Sequence, residues 1–248
     1  RKEQLIAANL DTAFIVSSCN QDFNIARLER YVAMAHDAEV APVIILTKND
    51  LSDDPQSYAT RASSISSRVP VICLDGRHSQ ARLQLASWCS LGQTVAFLGS
   101  SGVGKSTLAN TLSGNNDIET QDVRAADDRG RHTTTRRQLY ILEGGCAIVD
   151  TPGMRELQLT DVSVGLKETF ADLHALTQSC RFNDCAHDKE PGCAIIAAIK
   201  SKEIDVARVQ RWVKLVTEDQ ENTSALAQKS YRDKGRSKLT KGKKRSRK

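Results

Sequence analysis

The residues from Gly99 to Ser106 read GSSGVGKS, a pattern that suits the binding of phosphate groups. The pattern follows the apolar run Thr94–Leu98 and opens a helix-like stretch, which is the context that a phosphate-binding loop (P-loop) needs. Its glycines let backbone N–H groups point at phosphate oxygens, and the helix N-terminus adds its dipole. Lys105 would reach the β- and γ-phosphates, and the Ser106 hydroxyl would hold Mg²⁺. A chance glycine-rich turn is the alternative, and the complete pattern disfavours it. The predicted phosphate-binding residues are Gly99, Ser100, Ser101, Gly102, Val103, Gly104, Lys105, Ser106 and Thr107.

A second motif, TKND, follows the apolar run Val43–Leu46 and is predicted to recognise guanine. The carboxylate of Asp50 can accept hydrogen bonds from the ring N–H and the exocyclic amine of guanine. Adenine presents an acceptor in that place and would leave the charge unpaired. The usual form of the motif is Asn-Lys-x-Asp, so Thr47 departs from it and is expected to weaken the anchoring of the loop. The predicted base-binding residues are Thr47, Lys48, Asn49 and Asp50.

The third element is CAIVDTPG, in which Asp150 ends a strand-like run. Asp150 would hold Mg²⁺ through water, and the backbone N–H of Gly153 would donate to the γ-phosphate. The polar segment 113–136 ends in GRHTTTRR, and one of its threonines should close on the metal when a triphosphate is bound. We choose Thr134 for this role, although Thr133 and Thr135 fit the spacing almost as well.

Hydrolysis of the triphosphate is predicted to be slow without a partner. Ras-like enzymes orient the attacking water with a Gln just after Asp-x-x-Gly, and Met154 stands at that position here. His132 is the best candidate within the chain to position the water instead. The alternative is that His132 is a surface residue of a flexible loop.

Cys180, Cys185, His187 and Cys193 place three thiols and one imidazole within fourteen residues. Four such ligands suit a tetrahedral, closed and therefore structural Zn²⁺ site. Binding of the ion would then supply folding energy to a segment with little apolar core of its own. Unrelated buried cysteines are the alternative.

The order of the motifs is unusual, because the base-reading motif precedes the P-loop and ordinary GTPases have the reverse. The order predicts a circularly permuted nucleotide-binding domain. Strand-like apolar runs alternate with helical patterns, which predicts an α/β fold with a sheet covered on both faces. The last two runs are separated by a short turn and predict an antiparallel edge hairpin. The predicted strands are Thr12–Cys19, Val43–Leu46, Val69–Leu74, Thr94–Leu98, Arg137–Leu142 and Cys146–Val149.

Helical periodicity accounts for much of the remaining chain. One helix face is predicted from Ile25, Leu28, Val32 and Ala35, and a second from Leu83, Leu85 and Trp88. After about Leu159 the strand signal stops, and two further faces are predicted, namely Leu166, Phe170 and Leu173, and Val206, Val209, Val213 and Val216. We therefore divide the chain into a GTPase domain (1–158), a helical zinc-binding domain (159–228) and a disordered basic tail (229–248).

The tail holds eleven Lys or Arg residues and one acid, so it carries the chain's positive charge and leaves the body mildly acidic. Such a segment is an RNA-binding arm or a solubilising end, and its charge favours the first. The sequence has no apolar run long enough for a transmembrane helix and no signal peptide. Because residue 1 is not Met, we expect a preceding segment to be missing.

Together these motifs resemble the RsgA/YjeQ family of circularly permuted, ribosome-associated GTPases. The resemblance rests on AANLD, TKNDL, GSSGVGKSTL, GRHTTT, DTPGMREL and CRFNDCAHDKEPGCA, in that order. It implies a permuted GTPase domain, a zinc-binding helical domain and an N-terminal OB-fold domain, the last absent from this chain. It also supports a catalytic role for His132. The Ser expected to contact the base after Leu74 is replaced by LDGRH, so no guanine contact is assigned there.

The resemblance implies a GTP hydrolase that acts late in assembly of the small ribosomal subunit, with GTP or GDP, Mg²⁺ and one Zn²⁺ as cofactors. The implied partners are the small subunit and its rRNA. A cytoplasmic monomer is expected. The alternative is an RNA-binding scaffold that GTP stabilises and in which hydrolysis is incidental.

Overall fold

The structure is a computed structural model that describes residues 8–114, 138–150 and 159–245, with side chains described as far as residue 228. The described residues form one sheet of six strands, in the order β3-β2-β1-β4-β6-β5. All pairs are parallel except β5 with β6, which are antiparallel, so the predicted edge hairpin is confirmed. The strands are β1 (Thr12–Ser18), β2 (Ala41–Thr47), β3 (Val71–Cys73), β4 (Thr94–Leu98), β5 (Gln138–Ile141) and β6 (Ala147–Asp150).

Helices connect the strands and cover the sheet. Asn24 caps α1 by accepting from the backbone N–H of Arg27, and Asp54 caps α2 in the same way through Ser57. The helices are α1 (Ile25–Asp37), α2 (Pro55–Ser63), α3 (Gln80–Leu85), α4 (Lys105–Ser113), α5 (Ser163–Thr169), α6 (Ala171–Thr177), α7 (Ala194–Lys200) and α8 (Val206–Arg245). Short 3₁₀ turns follow β2 and α3.

Both faces of the sheet are buried, as the continuous apolar strands predict. Phe14 and Phe97 point into one core, which α3 and α4 close. Their neighbours Ile15 and Ile44 point into the other core, which α1 and α2 close. Alternate residues of β1 therefore serve opposite faces, and all seven are buried. Because β1, β2, β4 and β6 are parallel, the loops at their carboxyl ends lie along one edge of the sheet.

After Leu159 the described chain is mainly helical, and α5 packs against α1. Leu166, Phe170 and Leu173 are buried as predicted, although Leu166 lies on α5, Leu173 on α6 and Phe170 between the two helices. Gly165 permits the close crossing of α1 and α5, because a Cβ there would lie 1.9 Å from the Ala33 carbonyl oxygen. Its backbone N–H also donates to Asp37.

Two predicted helix faces differ in the structure. Leu83 is 79% exposed, whereas Leu85 is buried. On α8, Val209 is buried and Val216 is half-buried, as predicted, whereas Val206 and Val213 are exposed. The buried face also includes Leu215 and Asp219. This face includes polar residues that are hydrogen-bonded in the interior, so the spacing of apolar residues alone does not reveal the whole face.

The helix α8 continues to Arg245, so its backbone is helical through residues that the sequence assigns to a disordered tail. The segment contains no Pro and is rich in Lys and Arg, which are good helix formers. The division of the chain into domains remains a prediction. Within the described ranges, no helix combines the length and the apolar character that crossing a membrane requires.

Candidate functional site

The P-loop joins β4 to α4 in the conformation that its sequence predicts. Gly99 has φ 151° and passes so close to β1 that a Cβ would lie 2.3 Å from the Val16 carbonyl oxygen. Only glycine fits at this position. Gly104 has φ 94°, and α4 begins at the next residue. Val103 is buried in the core, which fixes the middle of the loop.

Lys105 is 6% exposed, and its ammonium group lies within the P-loop. Nζ donates to the carbonyl oxygens of Gly99 at 3.0 Å and Ser100 at 2.7 Å. Burial lowers the pKa of Lys105 to about 8, against the opposing attraction of Asp150. A buried cation that bonds two neutral carbonyl oxygens and lies near a carboxylate is well suited to a phosphate group.

The base-reading loop (Thr47–Asp50) is attached directly to the P-loop. Thr47 is buried, and its hydroxyl donates to the Val103 carbonyl oxygen at 2.6 Å. Lys48 has φ 57° and donates through Nζ to the Gly102 carbonyl oxygen at 2.9 Å. The threonine hydroxyl thus anchors the loop, and the weaker anchoring relative to Asn stays a prediction.

Asn49 and Asp50 form the 3₁₀ turn Asn49–Leu51 at the carboxyl end of β2. The Asp50 side chain is 29% exposed, and its Oδ2 accepts from Nη2 of Arg77 at 2.6 Å. Arg77 belongs to the loop after β3, in which the sequence predicts no base contact. The carboxylate is therefore accessible for a ligand and already engaged by a cation.

Two hard oxygen donors meet beside the P-loop. Asp150 ends β6 and is fully buried, and Ser106 lies in the first turn of α4. The hydroxyl of Ser106 lies 3.3 Å from Oδ2 of Asp150. A hydroxyl and a carboxylate next to a phosphate-binding loop fit the ligand preference of Mg²⁺.

The predicted metal ligands Cys180, Cys185, His187 and Cys193 come together, with their ligand atoms all within 4.8 Å of one another. Nδ1 of His187 lies 3.6 Å from the sulfur of Cys180 and 3.5 Å from that of Cys193. The His187 ring also lies against Trp212 of α8, at 5.7 Å between centroids. The cluster could hold one metal ion, and three thiols with one imidazole fit the preference of Zn²⁺.

Three further predicted residues lie in or directly after the P-loop. Ser101 and Gly102 belong to the loop, and Thr107 is half-buried in the first turn of α4. Four residues discussed from the sequence lie outside the described residues, namely His132, Thr134, Met154 and Gly153. The same holds for Thr133 and Thr135.

Sequence reasoning missed one side chain that reaches the P-loop from another element. Arg27 of α1 donates through Nη1 to the hydroxyl of Ser100. The two residues lie 73 positions apart, and no local pattern marks this half-buried arginine of α1 as a contact of the loop. Only the packing of α1 beside β1 reveals it.

Fold and site together define a P-loop nucleotide-binding protein in which the base-reading loop is encoded ahead of the phosphate loop. The sequence model of the RsgA GTPase family matches residues 1–160, and the chain belongs to this family. A model of the ABC transporter family also matches residues 84–246. That match starts just before β4 and its P-loop, which many nucleotide-binding families share. It leaves out β1 to β3 and the base-reading loop.

Curated relatives match almost the whole chain. One is the small ribosomal subunit biogenesis GTPase RsgA 2 of Vibrio parahaemolyticus, 47% identical over 96% of this chain and 66% of the relative. Another is the small ribosomal subunit biogenesis GTPase RsgA of Mesorhizobium japonicum, 50% identical over 90% of this chain and 65% of the relative. The chain thus spans slightly less than two thirds of the length of these relatives.

Solved structures show the same architecture. The crystal structure of YjeQ from Thermotoga maritima is similar with a TM-score of 0.63 and 25% identity, over 85% of this chain and 71% of that one. The crystal structure of YloQ, described as a circularly permuted GTPase, is similar with a TM-score of 0.61 and 29% identity, over 86% and 69%. The predicted family and the permuted α/β fold are therefore confirmed.

Proposed function

We propose that this chain binds and hydrolyses GTP and acts in maturation of the small ribosomal subunit. The observation that carries the proposal is the direct attachment of the base-reading loop to the P-loop through Thr47 and Lys48. One pocket then faces both the base and the phosphates of a single nucleotide. The names of the curated relatives supply the process in which such a pocket would act.

Guanine would be selected by Asp50. Its carboxylate would accept from the ring N–H and the exocyclic amine, and adenine would offer an acceptor in place of the ring N–H. Lys48 would lie along the base while its ammonium stays on the Gly102 carbonyl oxygen. Asn49 would support the turn that presents Asp50.

The phosphates would lie over the P-loop from Gly99 to Thr107. Lys105 would exchange its bonds to the Gly99 and Ser100 carbonyl oxygens for bonds to phosphate oxygens, which are stronger because both partners are charged. Ser106 and Asp150 would hold Mg²⁺. When bound, this ion would neutralise charge that develops on the phosphate oxygens.

Hydrolysis would depend on residues outside the described part of the chain. His132 is our candidate for positioning the attacking water, Thr134 for closing on the metal, and the N–H of Gly153 for contacting the γ-phosphate. Because Met154 cannot orient water, we expect a slow basal rate and strong stimulation by a partner.

The Cys180–Cys193 cluster would hold one structural Zn²⁺. Its four donors leave no open position for a substrate, so the ion would act on folding. The cluster precedes α7 directly, and Cys193 accepts from the backbone N–H of Ile196 at the start of that helix. Binding of the ion would therefore fix both the cysteine loop and the helix that follows.

The partner would be the rRNA of the small subunit, engaged by the basic residues 229–248 in the cytoplasm, with the protein acting as a monomer. The helix that leads into residues 229–248 is α8. Its side chains bond the backbone at Leu159 and Val162, a short distance after Asp150 in the chain. Asp219 of α8 accepts from the N–H of Val162, and Asn222 donates to the Leu159 carbonyl oxygen. RNA bound at the end of α8 would thus act on the same helix that restrains the chain after the nucleotide site.

The proposal is tested by measuring GTP turnover of this chain with and without purified small ribosomal subunits. We expect the rate to rise at least about tenfold, within the range of partner stimulation known for this reaction class. Ser106→Ala should abolish the stimulated rate, and Ser57→Ala, which alters an exposed serine in the first turn of α2, should leave it unchanged.

No rise at a saturating concentration of subunits would reject subunit-stimulated hydrolysis. If Ser106→Ala left both subunit binding and maturation activity intact, the scaffold alternative would be favoured instead. Equal turnover of ATP and GTP would contradict the assigned base preference.

A further inference from the structure

Arg77 connects the base-reading loop with the loop after β3. Its Nη2 donates to Oδ2 of Asp50 at 2.6 Å, while its Nε lies 3.2 Å from Oδ1 of Asp75. The Arg77 side chain is 64% exposed, so it reaches solvent beside the partly exposed Asp50 carboxylate. Nη1 makes no hydrogen bond to any described residue.

Contacts within the loop after β3, and between this loop and α4, fix the position of Arg77. The Asp75 carboxylate accepts from both the backbone N–H and Nε of Arg77, so the side chain starts in a defined direction. The Gly76 carbonyl oxygen accepts from the Thr111 hydroxyl at 2.6 Å, which ties this loop to α4. The Arg82 guanidinium donates to the Thr111 carbonyl oxygen and strengthens the same attachment. The loop that carries Arg77 is therefore tied to α4, the helix that follows the P-loop.

A carboxylate can serve Arg77 and a base at the same time, because each oxygen has two lone pairs. A guanine whose ring N–H and amine face Asp50 places O6 next to the ring N–H on the same edge. A guanidinium bonded to that carboxylate lies beside this edge, with N–H groups to spare. Arginine is also the side chain that most often reads O6 and N7 of guanine.

We propose that Arg77 is a specificity-determining residue that donates to O6 of the bound guanine. Adenine would turn its exocyclic amine, a second donor, toward the same guanidinium. Along one edge of the base, Asp50 would then accept hydrogen bonds from the guanine donors and Arg77 would donate to the guanine acceptor O6. The inference rests on the proposed binding of guanine nucleotides and assigns a second reader to that site.

The test is a set of dissociation constants from titration calorimetry on the wild type and Arg77→Ala, with GDP, inosine diphosphate, 6-thioguanosine diphosphate and ADP as ligands. Arg77→Ala should weaken GDP binding roughly tenfold, which is the effect of one charge-assisted hydrogen bond at a partly exposed site. Inosine diphosphate retains O6 and lacks the amine, so it should lose the same factor. 6-Thioguanosine diphosphate presents sulfur, a weak acceptor, and should lose much less.

Arg68→Ala is the matched control, since Arg68 is an exposed arginine at the opposite, amino end of β3. It should change none of the four constants. Tighter binding of GDP to Arg77→Ala would mean that Arg77 only competes for Asp50, and an equal loss for GDP and the 6-thio analogue would mean a general charge effect. Either result would overturn the assignment. A wild-type protein that binds ADP as tightly as GDP would refute the proposed function, and this assignment with it.

Discussion

Thr47 and Lys105 show how single residues tune the nucleotide site. Thr47 replaces the usual Asn of its motif, and its hydroxyl still reaches the Val103 carbonyl oxygen. Lys105 has no counter-ion within its loop and bonds two backbone carbonyl oxygens. Neutral oxygens therefore bond this ammonium group in the nucleotide-free protein, and a phosphate group would be a stronger partner.

The burial of the Lys105 ammonium group predicts that nucleotide affinity depends on pH. The pKa of Lys105 is about 8 in the nucleotide-free protein, and a bound phosphate group would raise it. As pH rises through about 8, the free protein loses the proton that the complex retains. GDP binding should then take up a proton and weaken by up to about tenfold for each further pH unit.

Calorimetry in two buffers of different ionisation enthalpy measures this proton uptake, below the pH at which guanine itself ionises. Lys48→Ala serves as control, because it removes a half-buried lysine of the neighbouring loop and should leave the uptake unchanged. A dissociation constant that stays flat, with no proton exchanged, would contradict the assigned burial of the charge.

Residue types predict the P-loop and the metal cluster well, because those motifs are local and their spacing is fixed by chemistry. The sequence does not predict Arg27 on Ser100 or Arg77 on Asp50. These contacts join elements that are distant in the chain, and arginines on solvent-facing helices and loops carry no periodic signal. Their discovery requires the packing of the sheet and its helices.

Among the elements, α1 links the sheet to the helices after residue 159. Glu29 of α1 is fully buried and is paired with Arg211 at 2.8 Å, with Arg208 close by. Burial raises the pKa of Glu29, and the two arginines oppose that change. The next residue, Arg30, makes a bidentate pair with Glu218. Charge pairs therefore fix the register of α8 on α1.

The crossing of α1 and α5 predicts an unusual response to Gly165→Ala. Alanine normally stabilises a helix relative to glycine by about 1 kcal/mol. Here the new Cβ would lie 1.9 Å from a backbone oxygen of α1, so the helices would have to separate. We expect a net destabilisation of about 1–3 kcal/mol, measured by urea unfolding.

Gly144→Ala is the matched control, because a Cβ at Gly144 meets nothing within 4 Å. It should change the unfolding free energy by less than about 0.5 kcal/mol. Stabilisation by Gly165→Ala would show that α5 does not pack against α1 at this distance.

Removal of the metal ion should unfold the element that the cluster holds. Chelation, or Cys185→Ser, should lower the thermal unfolding midpoint and reduce the helical circular dichroism signal, because structural Zn²⁺ contributes folding energy directly. Cys73→Ser, which alters a half-buried cysteine of β3, should retain the metal. Purified protein that contains no zinc and is insensitive to chelators would refute the assignment.

The strands could be predicted from sequence to within about two residues at their ends, because parallel buried strands are continuous apolar runs. The buried face of α8 could be predicted only in part, through Val209 and Val216. Arg208 occupies it by bonding Asp172 and the carbonyl oxygens of Ser64 and Ile65, and Asp219 by accepting a backbone N–H. Buried polar residues with partners are invisible to an apolar pattern.

For the whole molecule, the permuted order of motifs has little structural consequence. The sheet places the carboxyl ends of β2, β4 and β6 along one edge, so Asp50, Lys105 and Asp150 lie on the same edge although their order in the chain is rearranged. The position of each loop depends on its strand, and strand order in space is independent of order in sequence. This arrangement is shared with the family whose members the chain matches.

We propose that these reordered loops form one guanosine nucleotide site in which Asp50 recognises the base. The direct measurement compares the dissociation constants of GDP, xanthosine diphosphate and ADP for the wild type and Asp50→Asn. We predict that the wild type prefers GDP over ADP by at least about 100-fold. Asp50→Asn should move that preference to xanthosine diphosphate, whose second carbonyl oxygen accepts the new amide N–H. Equal affinities of the wild type for GDP and ADP, or an unchanged preference in Asp50→Asn, would contradict the account.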